Sequence, residues 1–357
     1  MVGNARIRVL IADDSLVARE MLAQILKTDP EIEVVGMAHD GQEAVDAVAQ
    51  LRPDLVTMDI HMPKMDGLLA TETIMAYHPT PILVVSSSVY GEGMGRAFDA
   101  LKMGALEVIK KPEPRDWAEL DRIGRDVIRK VKLLSRVQVI THIKGRHRYV
   151  PKEPITPETQ LEPQYVPAGT RSLVAIGSST GGPTALLAVL GRLPADLPVP
   201  IVIAQHIAEG FVPGLVSWLD SGCQLSVRMA EDGAIAERGC AYFAPTGRNL
   251  EMNGTVMNFV EPGPGQLYIP SADTLFESVA RTFGRRAVGV ILTGMGADGA
   301  NGLKIMRDVG AATIGQDEAT STVYGMPHAA HEKGAVGVVL PVLEIAAEIQ
   351  RLVGSVA

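Results

Sequence analysis

The chain has 357 residues, 46% of them apolar and 21% charged, with a formal net charge of -8 at pH 7. Such a length points to two domains, and such a balance to a folded chain rather than a disordered one. The negative charge argues against nonspecific binding of nucleic acid, and no apolar run approaches the ~18 residues of a membrane span. Met1 to Arg6 lead directly into a strand-like segment, which leaves no room for a signal peptide, and Cys223 and Cys240 lack C-x-x-C spacing. A cytoplasmic protein with reduced thiols is the expectation.

Residues 1–126 alternate short apolar runs with helix-patterned segments, the signature of βα units around a parallel sheet. The runs are Ile7 to Ile11, Glu33 to Val35, Asp54 to Met58, Ile82 to Val85 and Glu107 to Ile109. Ligand sites in such sheets lie beyond the carboxyl ends of the strands. Asp13 and Asp14 follow the first run, Asp59 the third, Ser86 and Ser87 the fourth, and Lys110, Lys111 and Pro112 the fifth. Three carboxylates, a hydroxyl and an ammonium thus converge on one edge. Clustered carboxylates repel one another unless a hard cation joins them, and Mg²⁺ suits such oxygen ligands. A carboxylate beside Mg²⁺ can act as nucleophile toward phosphorus, giving an aspartyl phosphate whose oxygens a lysine and a hydroxyl would hold. Any one of these aspartates alone reads as a helix N-cap; it is the joint pattern that points to phosphoryl chemistry.

The stretches Ala12-Asp13-Asp14-Ser15, Met58-Asp59-Ile60-His61-Met62-Pro63-Lys64-Met65-Asp66-Gly67, Ser86 and Lys111-Pro112 resemble the receiver domain of two-component response regulators. The resemblance covers the whole segment. It implies a flavodoxin-like five-stranded parallel sheet, Asp59 as phosphoacceptor, and Asp13 and Asp14 as the acidic pair around Mg²⁺. It also implies the backbone carbonyl of His61 as a further metal ligand, Ser86 as the switch hydroxyl and Lys111 as the phosphate contact. Receivers often carry an aromatic residue three positions before that lysine; here the position is Val108.

Residues 127–169 read as a helix tail and linker. Leu120 to Leu134 are patterned as an amphipathic final helix. A basic run (Lys144, Arg146, His147, Arg148) follows, then Pro151, Pro154, Pro157, Pro163 and Pro167 spaced through polar residues. So many prolines favour an extended, semi-rigid tether over a helix; a docking segment for a partner is the alternative.

Residues 170–357 open with the apolar run Leu173 to Ile176 and then Gly177-Ser178-Ser179-Thr180-Gly181-Gly182. The first five residues of that loop read G-x-S-x-G, which suits a serine exposed on a sharp strand-to-helix turn with N–H donors behind it. Alone the spacing is more readily a tight turn or a glycine-rich phosphate loop. The run Ile201 to Ala204, however, leads to Gln205 and His206, and the run Val288 to Leu292 leads through Thr293-Gly294-Met295-Gly296 to Asp298. A serine, a histidine and an aspartate therefore each follow a strand and meet at one sheet edge. Histidine can take the serine proton while aspartate orients the ring. The order Ser, His, Asp differs from that of α/β-hydrolases. His206 alone among the histidines directly follows a long apolar run, whereas Asp298 has a competing use as cap of a helix starting near Gly299. No His/Cys cluster has metal-ligand spacing.

Ala175 to Gly182, Gln205-His206 with Glu209-Gly210-Phe211, and Ile291 to Gly299 look like the active-site segments of the chemotaxis protein-glutamate methylesterases, the family known as CheB. Further matches are Ala230-Glu231-Asp232-Gly233, Ala244-Pro245, Pro270-Ser271-Ala272-Asp273, Gly315-Gln316-Asp317-Glu318 and Gly325-Met326-Pro327. They span nearly all of a doubly wound, Rossmann-like α/β domain. The resemblance implies Ser179 as nucleophile, His206 as general base and acid, and Asp298 as the orienting acid. The backbone around Met295 would supply part of the oxyanion hole, and Thr180 would line the site. It implies hydrolysis of glutamyl methyl esters, and deamidation of glutamines, on chemoreceptors without an esterase cofactor. Phosphorylation of Asp59 by the chemotaxis histidine kinase would relieve cover of the site by the receiver, in a cytoplasmic protein recruited to receptor arrays. Two other classes compete. A noncatalytic binding module would not need the serine. A dinucleotide-binding loop would want G-x-G-x-x-G and an acidic end to the next strand, where Gln205-His206 stand instead. A DNA-binding output lacks a basic recognition helix.

Overall fold

The computed structural model describes residues 6–87, 92–114, 116–139 and 171–354. In the first unit β1 (Ile7–Ala12), β2 (Ile32–Ala38), β3 (Leu55–Met58), β4 (Ile82–Ser86) and β5 (Glu107–Lys110) form a parallel sheet in the order β2-β1-β3-β4-β5. Helices α1 (Leu16–Lys27), α2 (Gly41–Leu51), α3 (Gly67–Tyr77), α4 (Glu92–Lys102) and α5 (Trp117–Leu134) connect and follow the strands. Both faces of the sheet are covered, as a parallel sheet requires: Val9 and Ile11 of β1 enter one apolar core, Leu10 and Ala12 the other. Side chains close the helix starts where the sequence offers a short polar residue. Ser15, Asp40, Asp66 and Asp116 accept from backbone N–H groups of Ala18, Glu43, Leu69 and Glu119, contributing ~1 kcal/mol each. The boundary expected at residue 126 falls inside α5. Val127, Val131 and Leu134 are buried with Val9, Ile11 and Leu22, so the amphipathic helix belongs to this unit's core through Leu134. The basic run and the prolines of the expected tether lie outside the described residues.

The second unit is a seven-stranded parallel sheet, in order β14-β13-β12-β6-β7-β9-β8, with an antiparallel hairpin beside it. The strands are β6 (Leu173–Ser178), β7 (Ile201–Gln205), β8 (Ser226–Met229), β9 (Cys240–Phe243), the hairpin β10 (Asn249–Asn253) and β11 (Val256–Val260), β12 (Ala287–Ile291), β13 (Ala312–Gln316) and β14 (Val338–Leu340). The helices are α6 (Gly182–Leu190), α7 (Val212–Gly222), α8 (Ala272–Phe283), α9 (Ala300–Asp308), α10 (Met326–Glu332) and α11 (Val342–Val353). From β6 the chain winds to β7 on one side and later returns to β12 on the other. A crevice therefore opens at the carboxyl ends of these three central strands, where doubly wound sheets place their ligands. Their ends are level: Gly177 pairs with Ala204 on one side and with Ile291 on the other. A Cβ at Gly177 would lie 2.9 Å from Ala272 Cβ, so the bare backbone there lets the start of α8 rest on β6.

The two units touch through apolar side chains. α4 packs on α7, with the Phe98 ring 6.2 Å edge-on to Phe211 and 5.8 Å from Trp218. Phe98, Leu101 and Val108 share one buried cluster with Phe211, Val212 and Leu215. Phe98 is fully buried, and sequestering such a ring contributes roughly 1.5–3 kcal/mol before ordering costs.

Candidate active site

At the carboxyl edge of the first sheet, oxygens of Asp13, Asp14 and Asp59 all lie within 4.8 Å of one another. Asp13 and Asp59 are buried and Asp14 is exposed. Lys111 Nζ sits between them, 2.7 Å from Asp13 Oδ2 and 3.0 Å from Asp59 Oδ2. Asp59 Oδ1 accepts one hydrogen bond, from the N–H of Ile60. Burial pushes the Asp59 carboxyl above its ordinary range; Lys111 pulls it back, and the charge on Asp13 adds to the rise. Burial works against the Lys111 charge, but the two aspartates outweigh it and hold the ammonium above its ordinary value. Ser86 is buried at the end of β4, and its carbonyl accepts from the N–H of Lys111 at 2.9 Å. His61 stands in the exposed loop just past Asp59, and Val108 is buried against the second unit. Three hard oxygen donors so close together fit a small divalent cation.

At the carboxyl edge of the second sheet, Ser179 follows β6, His206 follows β7, and Asp298 lies seven residues beyond β12. Gly181 has φ +75° and caps α6, a backbone turn that would strain a side-chain-bearing residue, so the chain reverses sharply after the serine. The loop is fastened from below. Ser179 N–H donates to the Thr293 carbonyl at 3.0 Å, and Thr293 Oγ1 donates to the carbonyl of the buried Thr180 at 2.9 Å. Gln205 Nε2 donates to the carbonyls of Ser179 and His206 at 2.9 and 2.8 Å.

His206 Nε2 lies 2.8 Å from Asp298 Oδ2. The same carboxylate accepts from Ser271 Oγ at 2.8 Å, from Ala272 N–H at 2.6 Å and from Asp273 N–H at 3.3 Å. Burial would raise the Asp298 carboxyl, but the His206 hydrogen bond and charge, with the donors at the start of α8, hold it below its ordinary value. An ionised carboxylate only accepts, so His206 Nε2 is the donor to Asp298, and in the neutral imidazole the lone pair then falls on Nδ1. Nδ1 is buried and, among the described residues, has no hydrogen-bond partner. Among the described residues no hydrogen bond joins Ser179 to His206; both line a cavity of about 10 Å³ together with Gln205, Ile207 and, from the first unit, Phe98, Glu107 and Val108.

The competing use of Asp298 as a helix cap is not made: α9 (Ala300–Asp308) has Gly299 at its N-cap and no side-chain cap bond. Asp298 instead faces the N-terminus of α8. Ser271, which caps α8, was legible only as part of a matching tetrapeptide. Tyr268, whose ring stacks on His206 at 4.8 Å between centroids and 12° between planes, gave no sequence signal. Met295 stands in the loop between Thr293 and Asp298; Gly294 N–H is engaged by the Val323 carbonyl, while Met295 N–H has no backbone acceptor among the described residues.

The CheB methylesterase family model matches residues 174–349, and the response regulator receiver domain model matches residues 9–120. A protein of Syntrophus aciditrophicus (strain SB), named protein-glutamate methylesterase/protein-glutamine glutaminase 1, is 44% identical over 355 residues, 98% of this chain and 99% of its own length. A protein of Anaeromyxobacter dehalogenans (strain 2CP-C) with the same name, numbered 2, is 44% identical over 350 residues, 98% of each chain. The crystal structure of the Thermotoga maritima CheB methylesterase catalytic domain is 34% identical with a TM-score of 0.48, covering 50% of this chain and 97% of that one. Matched by relatives along nearly its whole length, the chain belongs to the CheB family, a response regulator receiver domain joined to a methylesterase.

Proposed function

We propose that this chain is a phosphorylation-regulated serine hydrolase that demethylates glutamyl methyl esters, and deamidates glutamines, on chemoreceptors. The observation that carries the reading is the pairing of His206 Nε2 with a multiply held Asp298, which leaves a buried, unpartnered Nδ1 in the cavity that Ser179 lines. In the reaction Ser179 Oγ attacks the ester carbonyl as Nδ1 takes its proton, and the imidazolium so formed is stabilised by Asp298. The ring is used in the opposite sense to that of the chymotrypsin triad, with Nε2 on the carboxylate. The carbonyl oxygen becomes an anion that the N–H of Met295 and the N-terminus of α6 can receive, with Thr180 lining the site. His206 returns its proton to the departing methanol. A water then attacks the acyl-enzyme with His206 again as base, releasing the glutamate carboxylate. A glutamine amide follows the same path and releases ammonia.

The receiver reading rests on Asp59 as the phosphoacceptor for the chemotaxis histidine kinase. Asp13, Asp14, Asp59 and the His61 carbonyl would hold Mg²⁺, which when bound neutralises charge on the incoming phosphoryl group. Lys111 Nζ donates to the Asp59 carboxylate at 3.0 Å, and in this reading Lys111 and Ser86 receive the phosphoryl oxygens. The cavity shared by Ser179, His206, Phe98 and Glu107 is about 10 Å³, room for a water and not for a glutamyl ester. Regulation then consists in moving the first unit off the second. No helix among the described residues is long and apolar enough to cross a membrane.

The test is methanol release from methylated chemoreceptor membranes by the full chain and by Ser179→Ala, with and without a small-molecule phosphodonor and Mg²⁺. Release stimulated by phosphodonor in the wild type and reduced at least about 1,000-fold in the variant is the expected result. Undiminished release by Ser179→Ala removes the serine as nucleophile.

A further inference from the structure

We propose that Tyr268 is a positioning residue for this hydrolysis: its ring fixes the plane of the His206 imidazole, and so the direction of Nδ1, while its hydroxyl end abuts the loop that carries Met295. The proposal rests on His206 acting as the base. One hydrogen bond, from Nε2 to Asp298, fixes one point of the imidazole and leaves the ring free to turn about that contact. Nδ1 has no partner to stop the turn. A flat face laid against the ring removes that freedom, and Tyr268 supplies one, nearly parallel at 12° with centroids 4.8 Å apart.

The other end of Tyr268 is held as well. Gly296 has φ +88°, and a Cβ there would come within 2.6 Å of the Tyr268 hydroxyl oxygen. The phenol is thus seated against bare backbone next to Met295 and two residues from Asp298. Tyr268 also precedes Ser271 by three residues, so one short segment carries both the ring that faces His206 and the donors that hold Asp298.

The experiment compares full-length Tyr268→Phe, Tyr268→Leu and Tyr268→Ala, each activated with phosphodonor and Mg²⁺. It reads kcat and KM for methanol release, the rate at which a fluorophosphonate labels Ser179, and the thermal midpoint. Tyr268→Phe keeps the flat ring and is expected to retain kcat within about threefold. Tyr268→Leu keeps apolar bulk without a plane; a misdirected base is expected to lower kcat and the labelling rate together by about 10- to 100-fold, with KM within about twofold. Tyr268→Ala should fall at least as far. The proposal is overturned if Tyr268→Leu keeps the wild-type kcat and labelling rate, if the loss lies in KM alone, or if Tyr268→Phe falls as far as Tyr268→Leu. Turnover by Ser179→Ala in the same assay would instead sink the reading of the site itself.

Discussion

A buried aspartate stands at the carboxyl edge of each sheet, and the surroundings push the two in opposite directions. Asp59 is crowded by Asp13, accepts a single backbone N–H among the described residues, and is raised by burial despite Lys111. Asp298 accepts from a hydroxyl, two backbone N–H groups and an imidazole, and is lowered. A carboxylate whose lone pairs are all engaged is a fixed anion that can orient a base. One with spare lone pairs and an unfavourable charge is prepared to give an oxygen to an electrophile. In the proposed reading the same fold edge thus yields a scaffold in one unit and a reactant in the other, by the number of donors supplied.

The largest expected effect comes from spoiling the fixed anion. Asp298→Asn presents an amide where His206 needs an acceptor, so the ring loses its tautomer. Methanol release should fall about 1,000-fold or more while phosphoryl incorporation at Asp59 is unchanged; retention of a tenth of the activity would break the contrast. Asp59→Asn should abolish the response to phosphodonor yet keep basal release. It should also stabilise the protein at pH 7, read from urea unfolding. The sign follows from the raised folded value: the ionised carboxylate costs stability above that value, and the cost vanishes below the unfolded value of ~3.9. The gain should therefore disappear near pH 4 and below. Ser271→Ala is the mildest. Losing the cap of α8 and one donor to Asp298 should cost about 1 kcal/mol and lower kcat roughly tenfold or less. Asp298 has a lowered folded value, so its contribution is present above ~3.9 and is lost as pH falls through that folded value. The stability gap between wild type and Ser271→Ala should accordingly be wider at pH 7 than at pH 3.

The strand ends were readable because a buried parallel strand is an uninterrupted apolar run, and the residue after it is where the chain leaves the core. That logic located Asp13, Asp59, Ser179 and His206 directly. It placed Asp298 only through the run before it, since the intervening loop leaves no periodic trace. The short β8 and β9 and the hairpin of β10 and β11 escaped notice: their runs are brief, and β10 alternates buried with partly exposed residues. Ser271 and Tyr268 act across the fold on residues near in space and distant in sequence. Their roles depend on α8 lying over β6, which no local pattern encodes. The amphipathic pattern of Leu120 to Leu134 was readable, but only tertiary packing reveals that its row of Val127, Val131 and Leu134 enters the core of the first unit.

The contact between the units, finally, is aromatic and aliphatic: Phe98, Leu101 and Val108 against Phe211, Val212 and Leu215. Such a contact draws its strength from released water, so separating the units carries a positive heat-capacity change and becomes easier on cooling. The charge pairs around Asp59 owe nothing to that source. In the proposed regulation, silence of the unphosphorylated enzyme is therefore a temperature-dependent property, weakest in the cold, whereas the signal that would lift it is set by electrostatics.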